Sequence, residues 1–224
     1  MDFFSPSTRR TLIIILFSTV FLFGFLFGSF GQTEVVETDP NDVVIARILG
    51  DQHFSFALGP YIPLFSYDPN TGESESLIGS TADPRLSLGA IGTLRWGAFV
   101  NSVINLGLDL SWAFNVGANG DLLSQFAPLT ARMSTYLRSG AFEFPLHLGL
   151  GMNILSYKET TILTPLVKAG GSVLWNPGGD WAFGFNLMYW WIPELYGDAA
   201  GSPGPSNNRF GNFLEVSLSA LYNF

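Results

Sequence analysis

The sequence predicts an all-β protein: an eight-stranded antiparallel up-and-down transmembrane β-barrel, preceded by a signal peptide. Three observations carry that expectation. Apolar and polar residues alternate over eight separate segments. Charged residues make up only 12% of the 224 residues, about half the usual globular share, at a mean hydropathy of +0.30. The connections between the segments are alternately short and long.

Composition removes several function classes first. There is no Cys, so disulfides, thiolate metal sites and Cys nucleophiles are excluded. Ten Lys and Arg stand against 18 Asp and Glu, and a chain with a pI near 4.5 carries no nucleic-acid footprint. The 21 Phe, 7 Tyr and 6 Trp exclude a disordered chain. So little charge at this hydropathy calls for a non-aqueous neighbour.

Residues 1–31 read as a signal peptide. A polar start ends in Arg9-Arg10, residues 11–30 are uncharged with the run Leu12-Ile13-Ile14-Ile15-Leu16-Phe17, and Ser29-Phe30-Gly31 supplies small residues before Gln32. An uncleaved anchor is the competing reading, since twenty apolar residues can span a bilayer. Removing Asp2, Arg9 and Arg10 leaves 8 basic and 17 acidic residues. Residues 32–50 form an acidic periplasmic lead or the start of the first strand. Within them, Val43–Leu49 either extends that strand or tucks across the periplasmic mouth. The barrel is expected over 51–224.

The strands follow in order. In Gln52–Leu64, Phe54, Phe56, Leu58, Ile62 and Leu64 oppose His53, Ser55 and Gly59. In Arg85–Trp96, Leu86, Leu88, Ala90, Leu94 and Trp96 oppose Arg85, Ser87, Gly89, Thr93 and Arg95. Ile104–Val116 alternates without a break, Leu106, Leu108, Leu110 and Trp112 against Asn105, Gly107, Asp109 and Ser111. Leu129–Leu137 sets Leu129, Ala131 and Met133 against Thr130, Arg132, Ser134 and Tyr136. Phe142–Ile154 is the clearest run, with Phe144, Leu146, Leu148, Leu150 and Met152 on one parity and Glu143, Pro145, His147, Gly149 and Gly151 on the other. Leu163–Trp175 opposes Val167, Ala169 and Val173 to Lys168, Gly170 and Ser172. Trp181–Trp191 and Leu214–Phe224 close the set. A period of two over such lengths is a strand and not a helix. Pro145 and Pro165 donate no ladder hydrogen bond and predict bulges.

Short turns are expected at 97–102, 138–141 and 176–180, and long loops at 66–84, 117–128, 156–162 and 194–209. That alternation is the habit of barrels with tight periplasmic turns and longer surface loops. The polar face is Gly, Ser, Asn and Thr with about one charge per strand, too little for a water-facing exterior. The apolar face therefore looks out at lipid. Aromatics gather at both strand ends: Trp96, Phe142, Trp175, Trp181, Tyr222 and Phe224 at the turn end, and Tyr61, Trp112, Phe114, Trp190 and Trp191 at the loop end. Two girdles at the interfaces are the expectation.

Ending in Tyr222-Asn223-Phe224, the chain resembles bacterial outer-membrane barrels that finish in a terminal Phe. The signal peptide and strand count make it similar to the small OmpW, OmpX and OmpA-membrane-domain group. Its long, Gly- and Pro-containing loops and acidic charge are most like the OmpW-like barrels of spirochaetes. The resemblance implies export through the Sec translocon, Phe224 as the signal read by the barrel-assembly machinery, and residence in the bacterial outer membrane against its lipid.

The expected lumen set is Arg95, Asp109, Arg132, Glu143, His147, Lys168 and Glu215, with Asp109 and Arg132 at similar depth on neighbouring strands. Eight strands leave an interior that side chains fill or that holds one small ligand. Inward glycines 59, 89, 107, 149, 151, 170 and 184 remove bulk, which suits a narrow conduit and equally suits strand curvature. No cofactor or metal pattern is present. The only two histidines, His53 and His147, lie toward the turn end, so no enzyme is expected. Two functions stay open. One is a narrow, porin-like conduit for small solutes, apolar ones included. The other is a filled barrel whose loops 66–84 and 194–209 bind host or neighbouring molecules.

Overall fold

The computed structural model describes residues 47–78, 86–116, 122–157, 160–196 and 204–224. The signal peptide at 1–31 and the acidic lead up to residue 46 lie outside these, as do 79–84, 117–121, 158–159 and 197–203 within the expected loops and Arg85 at the start of the expected second strand. The strands are β1 (Gln52–Tyr67), β2 (Ser74–Ser76), β3 (Gly89–Phe99), β4 (Ile104–Val116), β5 (Leu122–Ser139), β6 (Phe142–Tyr157), β7 (Thr160–Trp175), β8 (Trp181–Glu194) and β9 (Arg209–Asn223). Each pairs antiparallel with its neighbour, and β1 pairs with β9 to close an eight-stranded barrel. The ninth strand, β2, lies on the loop-end half of β1.

Closure follows from the alternation. On β6, Phe142, Phe144, Leu146, Leu148, Leu150, Met152 and Ile154 are all exposed, whereas Glu143, His147 and Asn153 are buried. The same division runs around every barrel strand. The outer surface is thus a continuous apolar band, far larger than a soluble monomer leaves in water, while the polar residues are inside. A closed barrel satisfies every wall hydrogen bond and can sit in hydrocarbon. This is an outer-membrane β-barrel. No helix among the described residues is long and apolar enough to cross a membrane.

Several elements differ from expectation. β5 begins at Leu122 and β6–β7 leave only residues 158 and 159 between them, so the connections expected at 117–128 and 156–162 are largely strand. Leu86 is not a lipid-facing residue of β3. It precedes the strand, bridges to Ile78, and is buried with the inner apolar cluster. Neither Pro145 nor Pro165 shifts the register. The irregularities fall between Pro63 and Phe65 and between Asn115 and Val116.

The girdles also need correction. At the turn end Phe142, Trp175, Trp181 and Tyr222 face outward, with Trp181 and Tyr222 rings 5.1 Å apart. At the loop end Trp112 is 56% exposed, but Tyr61 and Trp190 are both 0% exposed and point inward. Parity explains it: Tyr61 shares the face of His53, Ser55 and Ala57, and Trp190 that of Asn186 and Met188. Inside, the Trp190 N–H finds an acceptor in Glu215 and the Tyr61 ring packs on Phe213 and Trp190.

Candidate functional site

The lumen is the candidate site, and it is built in four layers. The first, at the turn-end mouth, comes from the lead. Arg47, 4% exposed, reaches across to Glu143 at 3.4 Å, and Arg138 Nε reaches the same carboxylate at 3.0 Å. Both guanidiniums lie over the Phe99 ring, 5.5 and 5.7 Å from its centroid. Gly50 N–H donates to Phe99 O, and Phe99 N–H donates to Asp51 O. The described end of the lead therefore tucks into the mouth, and Gly50 turns the chain with φ 97°. Below it Phe99, Tyr136, Leu174, Ala182 and Leu221 form a small apolar layer.

The middle layer is polar. Arg132 Nε donates to Asp109 at 2.8 Å, and Nη1 donates to Ser134 Oγ. Arg95 spans the interior: Nη1 donates to Asn186 Oδ1 at 2.9 Å and Nη2 to Glu215 Oε1 at 3.0 Å, while Nε lies 3.8 Å from Asp109. Glu215 also accepts from Trp190 Nε1 at 3.1 Å and Ser217 Oγ at 2.9 Å. His147 sits between two hydroxyls, Ser134 at 2.8 Å and Ser172 at 3.0 Å. Lys168 Nζ donates to Ser111 at 2.8 Å and stands 3.7 Å above the Trp190 ring. A buried charge is tolerated only when paired and hydrogen-bonded in this way.

The loop-end layer is apolar: Tyr61, Leu86, Ile91, Ala113, Phe126, Leu155, Leu166, Met188, Trp190, Ile192 and Phe213. Tyr61 stacks on Phe213 at 5.0 Å and meets Trp190 and Phe126 edge-on at 5.0 and 5.5 Å. Thus Arg95, Asp109, Arg132, His147, Lys168 and Glu215 converge in one network. Glu143 is apart from them at the mouth. Phe224 stays at the turn-end wall, exchanging backbone hydrogen bonds with Gln52 at 3.0 Å each. His53 and His147 are both buried.

Sequence reasoning missed the apolar plug and the Arg47 and Arg138 partners of Glu143. The signal for the plug was there, since Phe126, Leu166, Met188 and Phe213 all fall on inward parity.

The inward glycines do not widen the lumen. A Cβ on Gly59 would stand 2.0 Å from Val216 O, on Gly89 1.9 Å from Phe114 O, and on Gly151 2.1 Å from Leu129 O. Neighbouring backbone fills the place of the side chain, so these glycines let the strongly coiled strands approach closely.

Outside the barrel the two long connections brace each other. Asn70 Nδ2 donates to Pro205 O at 3.1 Å and Ser206 O at 3.3 Å. Arg209 pairs with Asp68 at 2.9 Å. The Asp68 carboxyl is held below its usual range, chiefly by the Asn70 backbone N–H and also by Arg209.

A protein-family model matches residues 36–222, the barrel together with part of its lead. The chain belongs to that family. No curated protein matches its sequence. Among solved structures the family member is similar to neisserial surface protein A, at 8% identity over 78% of this chain and 97% of that chain, TM-score 0.48. It is also similar to OprG from Pseudomonas aeruginosa, at 14% identity over 80% and 98%, TM-score 0.46. The outer membrane protein AlkL, in lipid bilayers, shows 16% identity over 84% and 96%, TM-score 0.46.

Proposed function

We propose that the protein is a closed, non-enzymatic membrane scaffold that works through its braced surface loops, with a lumen that passes no solute at rest. The observation that supports this most is the loop-end plug, in which Tyr61, Trp190, Phe126 and Phe213 pack ring against ring above a densely hydrogen-bonded charge layer. Side chains fill an eight-stranded barrel in just this way. The loop pair 68–78 and 204–208 then offers one surface instead of two free tethers, suited to a host or neighbouring molecule. Export by the Sec route with cleavage near residue 31, and recognition of Phe224 by the assembly machinery, belong to the same reading.

The experiment is single-channel recording from the refolded chain 32–224 in a planar bilayer. The scaffold is silent at both polarities while folding is verified by circular dichroism. Reproducible steps in the wild-type protein would end this reading and favour the OmpW-like conduit. One observation keeps that second reading in view: the polar chain Arg132–Ser134–His147–Ser172–Asn186–Arg95 is continuous across the lumen. A conduit needs the aromatic plug to move aside, and Lys168→Glu or Asp109→Lys then changes its ion selectivity.

A further inference from the structure

Between the charge layer and the turn-end apolar layer lies a cavity of about 10 Å³, room for about one water-sized body. Its wall includes His53, Ser55, Arg95, Arg132, His147 and Ser172, and no carboxylate contributes to it. The layer above holds three buried cations, Arg95, Arg132 and Lys168, against two buried carboxylates, Asp109 and Glu215. The mouth has no negative charge to spare, because its two carboxylates, Glu143 and Asp51, stand against two guanidiniums, Arg47 and Arg138.

Donors are also left over. With its other nitrogens engaged, Arg132 keeps Nη2 without a well-aligned acceptor, its neighbours being the Tyr136 hydroxyl in the cavity wall and the unpartnered Asn105 Oδ1 behind Gly97, and Arg95 keeps Nε without one. Gly97 and Gly107 are register partners on β3 and β4. A Cβ on Gly107 would stand 2.9 Å from Arg132 Nη2, and one on Gly97 2.9 Å from His53 Cε1. The guanidinium and the imidazole therefore converge over the same pair of glycines. His147 spends both ring nitrogens on Ser134 and Ser172, so it shapes the wall. A buried donor without an acceptor, beside an uncompensated cation, is costly on both counts.

We propose that this cavity binds one monatomic anion, a halide such as chloride, through Arg132 and His53 with the hydroxyl of Ser55. Space for about one water suits a monatomic ion better than phosphate, sulfate or a carboxylate. A water fits by size, but it leaves the charge excess untouched.

The test uses the refolded mature chain in detergent micelles. Thermal unfolding is followed in sodium chloride, sodium bromide and sodium gluconate at matched ionic strength, and crystals soaked in sodium bromide are measured for anomalous scattering. The expected result is a Tm that rises and saturates with chloride or bromide but not gluconate, and a bromide peak between Arg132 and His53. His53→Leu abolishes the halide-dependent rise. Lys168→Met, which leaves the cavity wall intact, weakens halide binding several-fold by removing the excess cation. Equal Tm in all three salts overturns the proposal, whether or not crystals show bromide. So does a halide-dependent rise undiminished in both variants.

Discussion

Replacing Glu215 by leucine asks how dry the lumen is. The carboxylate is 0% exposed and accepts from Arg95, Trp190 and Ser217 at 3.0, 3.1 and 2.9 Å. Glu215→Leu leaves Arg95 only the 3.8 Å ion-pair contact with Asp109, which Arg132 already engages, and strands the Trp190 N–H. Orphaning one half of a buried ion pair costs about 3–5 kcal/mol. At about 4 kcal/mol the folded fraction relative to unfolded falls roughly a thousandfold. Arg95→Met in the same chain removes the stranded charge, and Asp109 is not orphaned because Arg132 holds it at 2.8 Å. The double variant therefore recovers about 2–3 kcal/mol as a coupling energy. The assay is urea unfolding of the protein refolded in vesicles, read by tryptophan emission and checked by gel mobility. In a water-filled lumen the pair behaves like an exposed one, worth about 0–1 kcal/mol. A Glu215→Leu cost in that range, with no coupling to Arg95, refutes the reasoning.

Three further outcomes are expected. Leu150→Arg places a charge near the middle of the lipid-facing row of β6 and lowers stability in the same urea assay by about 2–4 kcal/mol. Gly59→Ala forces a Cβ to within 2.0 Å of Val216 O and costs about 1–3 kcal/mol as overpacking, whereas Gly92→Ala, whose Cβ meets only Leu58 at 3.4 Å, is close to neutral. Asp68 has its folded carboxyl pulled below the ordinary range. Its bracing of Arg209 is thus fully present at neutral pH and is lost only as pH falls through that depressed value. Amide exchange at 69–73 should stay slow down to about pH 4, near the ordinary Asp value, and Asp68→Asn should speed it at pH 7. Exchange indifferent to both changes would show that the loop brace does not depend on this carboxylate.

The wall of the barrel was legible because a period of two assigns every residue to one of two faces, and lipid outside with polar groups inside leaves one choice between them. Contacts between neighbouring strands were accessible to the same arithmetic, since depth counted from the turn end puts Asp109 beside Arg132. What depth cannot give is the partner across the lumen. Arg95 on β3 meets Glu215 on β9 and Asn186 on β8, two and three strands away across the β1–β9 seam, and only the closed circumference brings them together. Tyr61 and Trp190 were assigned to the girdle by residue type, although their parity placed them inside; periodicity outranked composition. The glycines leave two readings open in the sequence for a related reason. A missing side chain reads as space in a sequence, but in a coiled wall the neighbouring backbone takes that space. Arg47 was undecidable because the lead carries no periodicity, and the contact that fixes it is an ion pair to Glu143, far along the chain.

The central claim is that the lumen is filled from wall to wall, and single-cysteine labelling tests it most directly because the chain has no Cys of its own. Ser217→Cys stands in the middle layer at a residue 2% exposed, and Asn101→Cys serves as the exposed control in the β3–β4 turn. A small, charged, thiol-specific methanethiosulfonate reagent is added to the folded protein in vesicles or micelles. Rapid labelling at 101, with none at 217 until the barrel is unfolded in urea, is the predicted result. Labelling of Cys at 217 in the folded barrel, at a rate approaching the control, would mean an aqueous path to the middle of the lumen and would contradict the account.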